Sequence, residues 1–417
     1  MNAPSVCLPL PQWCRRRPVQ TPAGIAGPVL ASVLAAVLLT GLAPLPAHTQ
    51  TGLQVAGVPA VNFDSDEGFG YGVAVALYHY GDGSVQPYRW SVQPTVFLTT
   101  KGRRDYTVFF DAPSLFGGWR LDVFAGSQRQ IATPYYGLGN NAVYDPSRVT
   151  DADPYYYRFG RRLNSGLVNL QRPLGDSPLR LLIGAGVIRA SLDAVPEGTG
   201  TTLVAEEIAG GVRPGTEGWI NYVRAGLIYD TRNRETAPGR GTWSDILVQR
   251  VDKILGSEVG YTRWTITDRR YWRLGPLILV NRLLLQGISG DVPLVDLHRL
   301  QASFRDQEGL GGARSVRGLL RNRYAGRGLF LWNTEVRWPA FTFQLWSRSF
   351  HFAVSAFLDQ GRVWEGQPRP GDLLSGLHRG FGGGVRLGMG PDFVVGADLG
   401  TGAETGLQLY VGAGWLF

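Results

Sequence analysis

From Thr51 to Phe417 the chain repeats one unit: a segment of about ten residues in which apolar side chains alternate with polar or small ones, bounded by Gly, Pro, Asp and Asn. No stretch sustains a helical period. In the last segment Leu407, Leu409, Val411, Ala413, Trp415 and Phe417 share one face, and Gln408, Tyr410, Gly412 and Gly414 share the other. Leu179, Leu181, Ile183, Ala185 and Val187 oppose Arg180, Gly184 and Gly186; Phe330, Trp332, Thr334, Val336 and Trp338 oppose Asn333, Glu335 and Arg337. A period of two allows only strands with two unlike faces. A soluble sandwich would also alternate. Three details favour lipid on the apolar side: charges oppose bulky apolar residues in strand after strand, aromatic residues gather at segment ends, and the last segment ends on an aromatic.

Sixteen strands are predicted, near 53–63, 69–80, 87–99, 104–112, 119–131, 155–170, 178–190, 218–231, 240–252, 257–272, 275–289, 328–339, 349–361, 380–389, 392–400 and 406–417. An even number closes an antiparallel transmembrane β-barrel, and residues 51–417 allow about 23 residues for each strand and its connection. The chain is therefore expected to be all-β, with one barrel over 51–417. Pro59 would deprive the first strand of a ladder donor, which an edge or seam tolerates. With both termini periplasmic, the long connections 132–154, 191–217 and 290–327 fall outside, and the turns at 172–176 and 233–240 fall inside.

Arg15-Arg16-Arg17, an apolar run from about Ile25 to Ala43 and a small-residue exit read as a secretory signal peptide over 1–47, cleaved near Ala47. Cys7 and Cys14 both lie in it, so the exported chain would have no disulfide. Removing it lowers the formal charge from +8 to +5. Lys101 and Lys253 are the only lysines, so nearly every cation is an arginine, suited to forked pairing with lumenal carboxylates and lipid phosphates. These arginines are scattered among the strands without forming a docking face, which argues against nucleic acid as a partner.

The long connection 290–327 carries Leu310-Gly311-Gly312-Ala313-Arg314-Ser315-Val316-Arg317-Gly318. Gly311 and Gly312 suit a tight turn, and Val316 and Gly318 flank one presented guanidinium, Arg317. This motif resembles the V-R-G-[F/Y] loop tip of the outer membrane protein 85 superfamily, the BamA/TamA-like or bacterial surface antigen barrels. Phe357-Leu358-Asp359-Gln360-Gly361 resembles the family's F-x-D-x-G strand, and Asn333-Thr334-Glu335-Val336-Arg337 resembles the strand after the loop. Tyr229-Asp230-Thr231-Arg232-Asn233, with Pro238 and Gly241, is similar to its D-T-R-x-N periplasmic turn. Leu319 departs from the family, which usually has an aromatic there. The interval between Ala47 and the first strand leaves no room for a POTRA domain, as in the barrel-only branch.

By the alternation, Glu335 and Asp359 face the lumen on adjacent strands. Arg317 inserted between them would form charge-assisted hydrogen bonds and pin the loop inside the barrel. Without the resemblance, a solvated Arg317 above two channel-lining acids is the simpler reading.

The resemblance implies a barrel that inserts or translocates proteins or lipids at the outer membrane, along a weak seam between the first and last strands. Pro59, Gly412 and Gly414 would weaken that seam. A passive pore or structural barrel is the alternative. Trp415 and Phe417, expected on the lipid face, resemble the terminal signal read by barrel-assembly machinery. Expected partners are therefore outer-membrane lipids, that machinery, and an unknown periplasmic or translocated protein.

An enzyme is not expected, since His79, His298, His351 and His378 lie in no recognisable nucleophile context. Asp64-Ser65-Asp66-Glu67-Gly68 lacks the later ligands of a calcium loop. No metal or cofactor motif rises above background.

Overall fold

The computed structural model describes residues 51–417 except 65–67, 86–87, 116, 212–217, 236, 304–305, 346–347 and 390–392. The expected signal peptide and most of the Asp64–Gly68 turn lie outside the described residues. The strands are β1 (Gly52–Asp64), β2 (Gly68–Gly81), β3 (Trp90–Thr99), β4 (Arg104–Leu115), β5 (Trp119–Pro134), β6 (Arg158–Pro173), β7 (Leu179–Asp193), β8 (Gly218–Asp230) and β9 (Gly241–Val251). They continue with β10 (Tyr261–Leu274), β11 (Leu277–Gly290), β12 (Arg299–Leu300), β13 (Gln307–Glu308), β14 (Gly328–Leu345), β15 (Arg348–Trp364), β16 (His378–Met389), β17 (Phe393–Gly402) and β18 (Thr405–Ala413).

All except β12 and β13 close into one barrel in which each strand pairs antiparallel with its neighbours. The sixteen expected strands are all present. Connection 290–327 is not strandless, because Arg299–Leu300 and Gln307–Glu308 form a small ladder after a short helix at Leu294–Leu297.

The two faces are inverted relative to a soluble protein. Leu181, Ile183, Val187, Val223, Ile246 and Val248 are exposed, whereas Arg224, Asp245, Arg263, Arg282, Glu335 and Asp359 are buried. An apolar outer belt around a polar interior is stable only with hydrocarbon outside, because every backbone donor then needs a partner within a closed ladder. No helix among the described residues is long and apolar enough to cross a membrane.

Two strands depart from the expected lengths, one longer and one shorter. β14 continues past Pro339 through a register shift, extending its hairpin with β15, where Phe341 stacks on Phe352 and Phe343 on Phe350. β18 stops at Ala413, four residues short of the expected end. Gly414 takes φ +83 and its N–H donates to Val394 O at 2.8 Å, which breaks the extended path. Trp415 and Phe417 are therefore not on the lipid face. The Trp415 ring lies 4.0 Å from the Arg337 guanidinium and 4.9 Å from that of Arg386, and Phe417 lies 4.9 Å from that of Arg282. These arginines are buried in the lumen, so the segment after β18 turns inward. Alternation cannot reveal this turn, because it does not specify the φ of one glycine.

Closure is uneven. The register of β1 runs from Gly52 to Asp64 against β2, but against β18 it covers only Phe63↔Val411 and Asp64↔Tyr410. Pro59 pairs in register with Val73 of β2 and lies in the part of β1 that has no register with β18. Gly412 directly follows the last seam pair, and Gly414 lies two residues further on.

Candidate functional site: the loop tip inside the barrel

The long connection folds into the lumen because its backbone can turn there and its side chains find partners. Gly311 and Gly312 have φ +110 and +90, and a Cβ on Gly311 would fall 2.0 Å from Leu320 O. Ser315 ties the turn together: its Oγ accepts from Gly311 N–H at 2.9 Å and donates to Gly309 O at 2.6 Å. Val316 and Leu319 are buried in an apolar cluster with Leu284, Leu310, Leu331 and Val363. Leu319 thus fills by packing the place where the family usually has an aromatic.

The next residue, Arg317, is fully buried. Its Nε and Nη2 fork onto Asp359 at 2.8 and 3.1 Å, and its own backbone N–H donates to the same carboxylate at 3.1 Å. Nη1 lies 3.0 Å from Glu335 Oε2 and donates to Asp398 Oδ2 at 3.2 Å. The Glu335 contact is an ion pair without an aligned hydrogen bond, since Oε2 has no hydrogen-bond partner. The guanidinium also stacks 3.4 Å from the centre of the Phe357 ring. These acids raise the tendency of Arg317 to stay protonated, although burial opposes it.

Glu335 and Asp359 therefore both face the lumen and both meet Arg317, but unequally. Asp359 takes the fork. Glu335 is shared with Arg337, whose Nε donates to it at 2.8 Å. Asp398 is shared with Arg386, which reaches it at 2.7 and 2.8 Å. Three arginines and three carboxylates thus pair within one buried cluster, where an unmatched charge is expensive.

Asp398 is not singled out by the sequence, and Asn333 and Phe357 enter there only as members of motifs, without a role at the tip. Asn333 donates to Asp359 Oδ1 and to Ser315 O, both at 2.7 Å, so it holds the tip and orients its acceptor. The signal for Asp398 was available: it is an acid on the small-residue face of β17, between Gly396 and Gly400.

Glycines make the approach possible. Gly318 has φ +93, and a Cβ there would fall 2.5 Å from the Thr401 backbone. A Cβ on Gly380 of β16 would meet Arg317 O at 1.8 Å. The Gly318 N–H donates to Tyr410 Oη at 3.1 Å, and its carbonyl accepts from the Thr405 hydroxyl, so the tip touches β18 itself.

Further anchors fix the rest of the loop. Arg282 of β11 donates to Gln307 Oε1 at 3.0 Å and to Arg314 O at 3.1 Å. Asp296 accepts from Arg263 of β10 at 2.7 Å. Glu308 pairs with Arg321 of the loop and Arg161 of β6. At the opposite end, the 230–241 turn is closed by Asn233 Oδ1, which accepts from the N–H groups of Gly239 and Arg240 at 3.0 Å each, and by the Arg232 fork on Asp230.

A model described as the Omp85 superfamily domain matches residues 101–402. No curated protein sequence matches the chain. Among solved structures, the chain is similar to BamA from Haemophilus ducreyi lacking POTRA domains 1–3, with a TM-score of 0.54 at 13% identity over 88% of this chain and 71% of that one. It is similar also to CdiB from Escherichia coli, with a TM-score of 0.55 at 14% identity over 89% of this chain and 64% of that one. At such identities the likeness is one of fold.

Proposed function

The chain belongs to the Omp85 superfamily, and from that premise we propose that it inserts or translocates proteins or lipids at the Gram-negative outer membrane, with the β1–β18 seam as the working edge. The observation that supports this reading is the two-pair seam. Residues 52–62 of β1 pair along β2 with a register shift between Gly52 and Leu53, and among the described residues they make no pair with β18. Such an edge offers unpaired backbone donors and acceptors, which an incoming strand can satisfy. The bilayer supplies the drive, since unpaired backbone groups in hydrocarbon cost several kcal/mol each.

The loop tip then has a role at the seam. Gly318 and Arg317 bond to β17 and β18 while the same guanidinium grips β14 and β15, so the tip holds the seam-side strands against the rest of the wall. A lumen filled by this loop also suits a plugged barrel better than a passive pore.

The test is a tether across the seam. Phe63→Cys with Val411→Cys places two thiols at a register pair. Under oxidising conditions in the native host, the tethered protein is expected to lose its ability to maintain the outer-membrane or secreted proteome, and a reductant should restore it. A tethered, fully assembled barrel that leaves both proteomes unchanged would refute seam-mediated action.

A further inference from the structure

At the short-turn end of the barrel, bordering the Arg317 cluster through Arg337 and Arg386, lies a cavity of about 340 Å³ between the 230–241 turn and the walls formed by β10, β11 and β14–β17. Its size falls within the roughly 300–1,000 Å³ range of small-molecule sites. Four arginines line it: Arg234, Arg273, Arg337 and Arg386. No carboxylate lines it among the described residues.

The four differ in how they are neutralised. Arg337 is held by Glu335 at 2.8 Å and Arg386 by Asp398 at 2.7 Å, from behind the wall. Arg386 is buried and its Nε has no hydrogen-bond partner. Arg234 and Arg273 have no carboxylate partner among the described residues. Glu235, next to Arg234 in sequence, turns away to Arg120 at 3.0 Å. The cavity thus has two unbalanced cations at its mouth and an apolar inner wall that includes Ile278, Val394 and Trp415. Arg234 and Arg273 are exposed and hydrated, so an anion at this cavity would be drawn by the summed positive potential of the four guanidinium groups, and an apolar part of it would be covered by the wall.

We propose that this cavity binds a phosphate ester bearing a small apolar group. Forked guanidinium donors match the pair of non-bridging oxygens that both phosphate monoesters and diesters retain, and the indole and aliphatic wall takes the ester substituent. A phospholipid headgroup with the first carbons of its chains and a soluble organic phosphate share this chemistry. The test separates this site from the seam reading, because Arg234 and Arg273 touch neither β1, β18 nor the loop tip in any described contact, although Arg337, Arg386 and Trp415 of the wall border them.

The experiment uses the full chain purified in neutral detergent, with binding read by titration calorimetry. The probes are dihexanoyl phosphatidylglycerol and glycerol phosphate. The variants are Arg234→Glu with Arg273→Glu, and the milder pair Arg234→Gln with Arg273→Gln. The charge-matched control is Arg189→Glu with Arg250→Glu, both exposed at the other end of the barrel. A heat-shifted band on an SDS gel confirms that each variant is a closed barrel. Wild type and control should bind a phosphate ester with equal affinity, the glutamine pair at least tenfold more weakly, and the glutamate pair not measurably.

Tenfold tighter binding of the lipid than of glycerol phosphate would identify a membrane lipid as the source, and equal binding a soluble ester. No binding by wild type, or binding unchanged in the glutamine pair, would overturn the site.

Discussion

Arg317 meets Asp359 through three donors, its Nε, its Nη2 and its own backbone N–H. Backbone and side chain of one loop residue thus converge on one carboxylate of β15, and the tip can occupy only one position. Arg317→Ala leaves Asp359 buried without a cation, while Glu335 and Asp398 keep Arg337 and Arg386, a loss of about 3–5 kcal/mol for a buried pair broken on one side. Arg317→Lys should rescue only partly, because an ammonium cannot fork. Asp359→Asn should open the loop more than Glu335→Gln, since Glu335 makes no aligned hydrogen bond to Arg317. Limited proteolysis at residues 306–327 reads all four variants. Equal protection in Arg317→Ala and wild type would show that the tip is held by packing alone.

Gly318→Ala should mimic the loss of Arg317 without removing any charge. Its Cβ would sit 2.5 Å from the Thr401 backbone at a φ that side chains rarely adopt. The barrel itself should still form, so the expected result is normal heat-modifiable mobility with a protease-sensitive loop. A fully protected loop in this variant would mean that β17 yields to the tip.

Much of this arrangement is legible in sequence for a physical reason. A period of two, sustained over sixteen segments, fixes which side chains face inward, and so places Glu335 and Asp359 in the lumen. Two glycines before Arg317 signal a backbone able to bring it there. Alternation is silent where the chain leaves the ladder. It carried Trp415 and Phe417 onto the lipid face, although Gly414 turns them inward onto arginines. It also cannot tell which of several inward acids takes the fork, because that depends on the height of each residue in the barrel and on the register across β14–β17. The shortness of the seam was equally hidden, since strand length in sequence does not specify how far two strands overlap.

The loop should resist acid. Burial alone would raise the Glu308 carboxyl, but Arg321, then Arg161 and Arg103, outweigh it and hold its pKa below the ordinary value of 4.5. Asp296 and Asp306 are likewise lowered against burial, Asp296 by Arg263 and Arg299, Asp306 by Arg299 and Arg224. A carboxyl depressed in the folded state contributes stability that is complete above its unfolded pKa and is lost as pH falls through the folded one. Loop protection should therefore be constant from pH 7 to about 5 and decline only below about 4.5. Glu308→Gln should be less protected at neutral pH and show a shallower acid decline. Loop opening in wild type above pH 5 would contradict this linkage.

The inward segment after β18 bears on the seam. Trp415 lies between two guanidinium faces, and Arg337 donates to Phe417 O at 3.0 Å, so residues 414–417 are held in the lumen and cannot extend the ladder along β1. Each cation–π contact contributes on the order of 0.5–2 kcal/mol. Trp415→Ala should loosen that hold and let the segment exchange between the lumen and the free edge of β1. In hydrogen exchange, the amides of 54–62 should then become more protected than in wild type, because a longer seam closes over them. Phe417→Ala should act in the same direction but more weakly, since its ring lies farther from its arginines, at 4.9 and 5.7 Å. If neither substitution raises protection along β1, the inward turn is set by Gly414 alone. Gly414→Ala, strained at φ +83, would then be the variant that lengthens the seam.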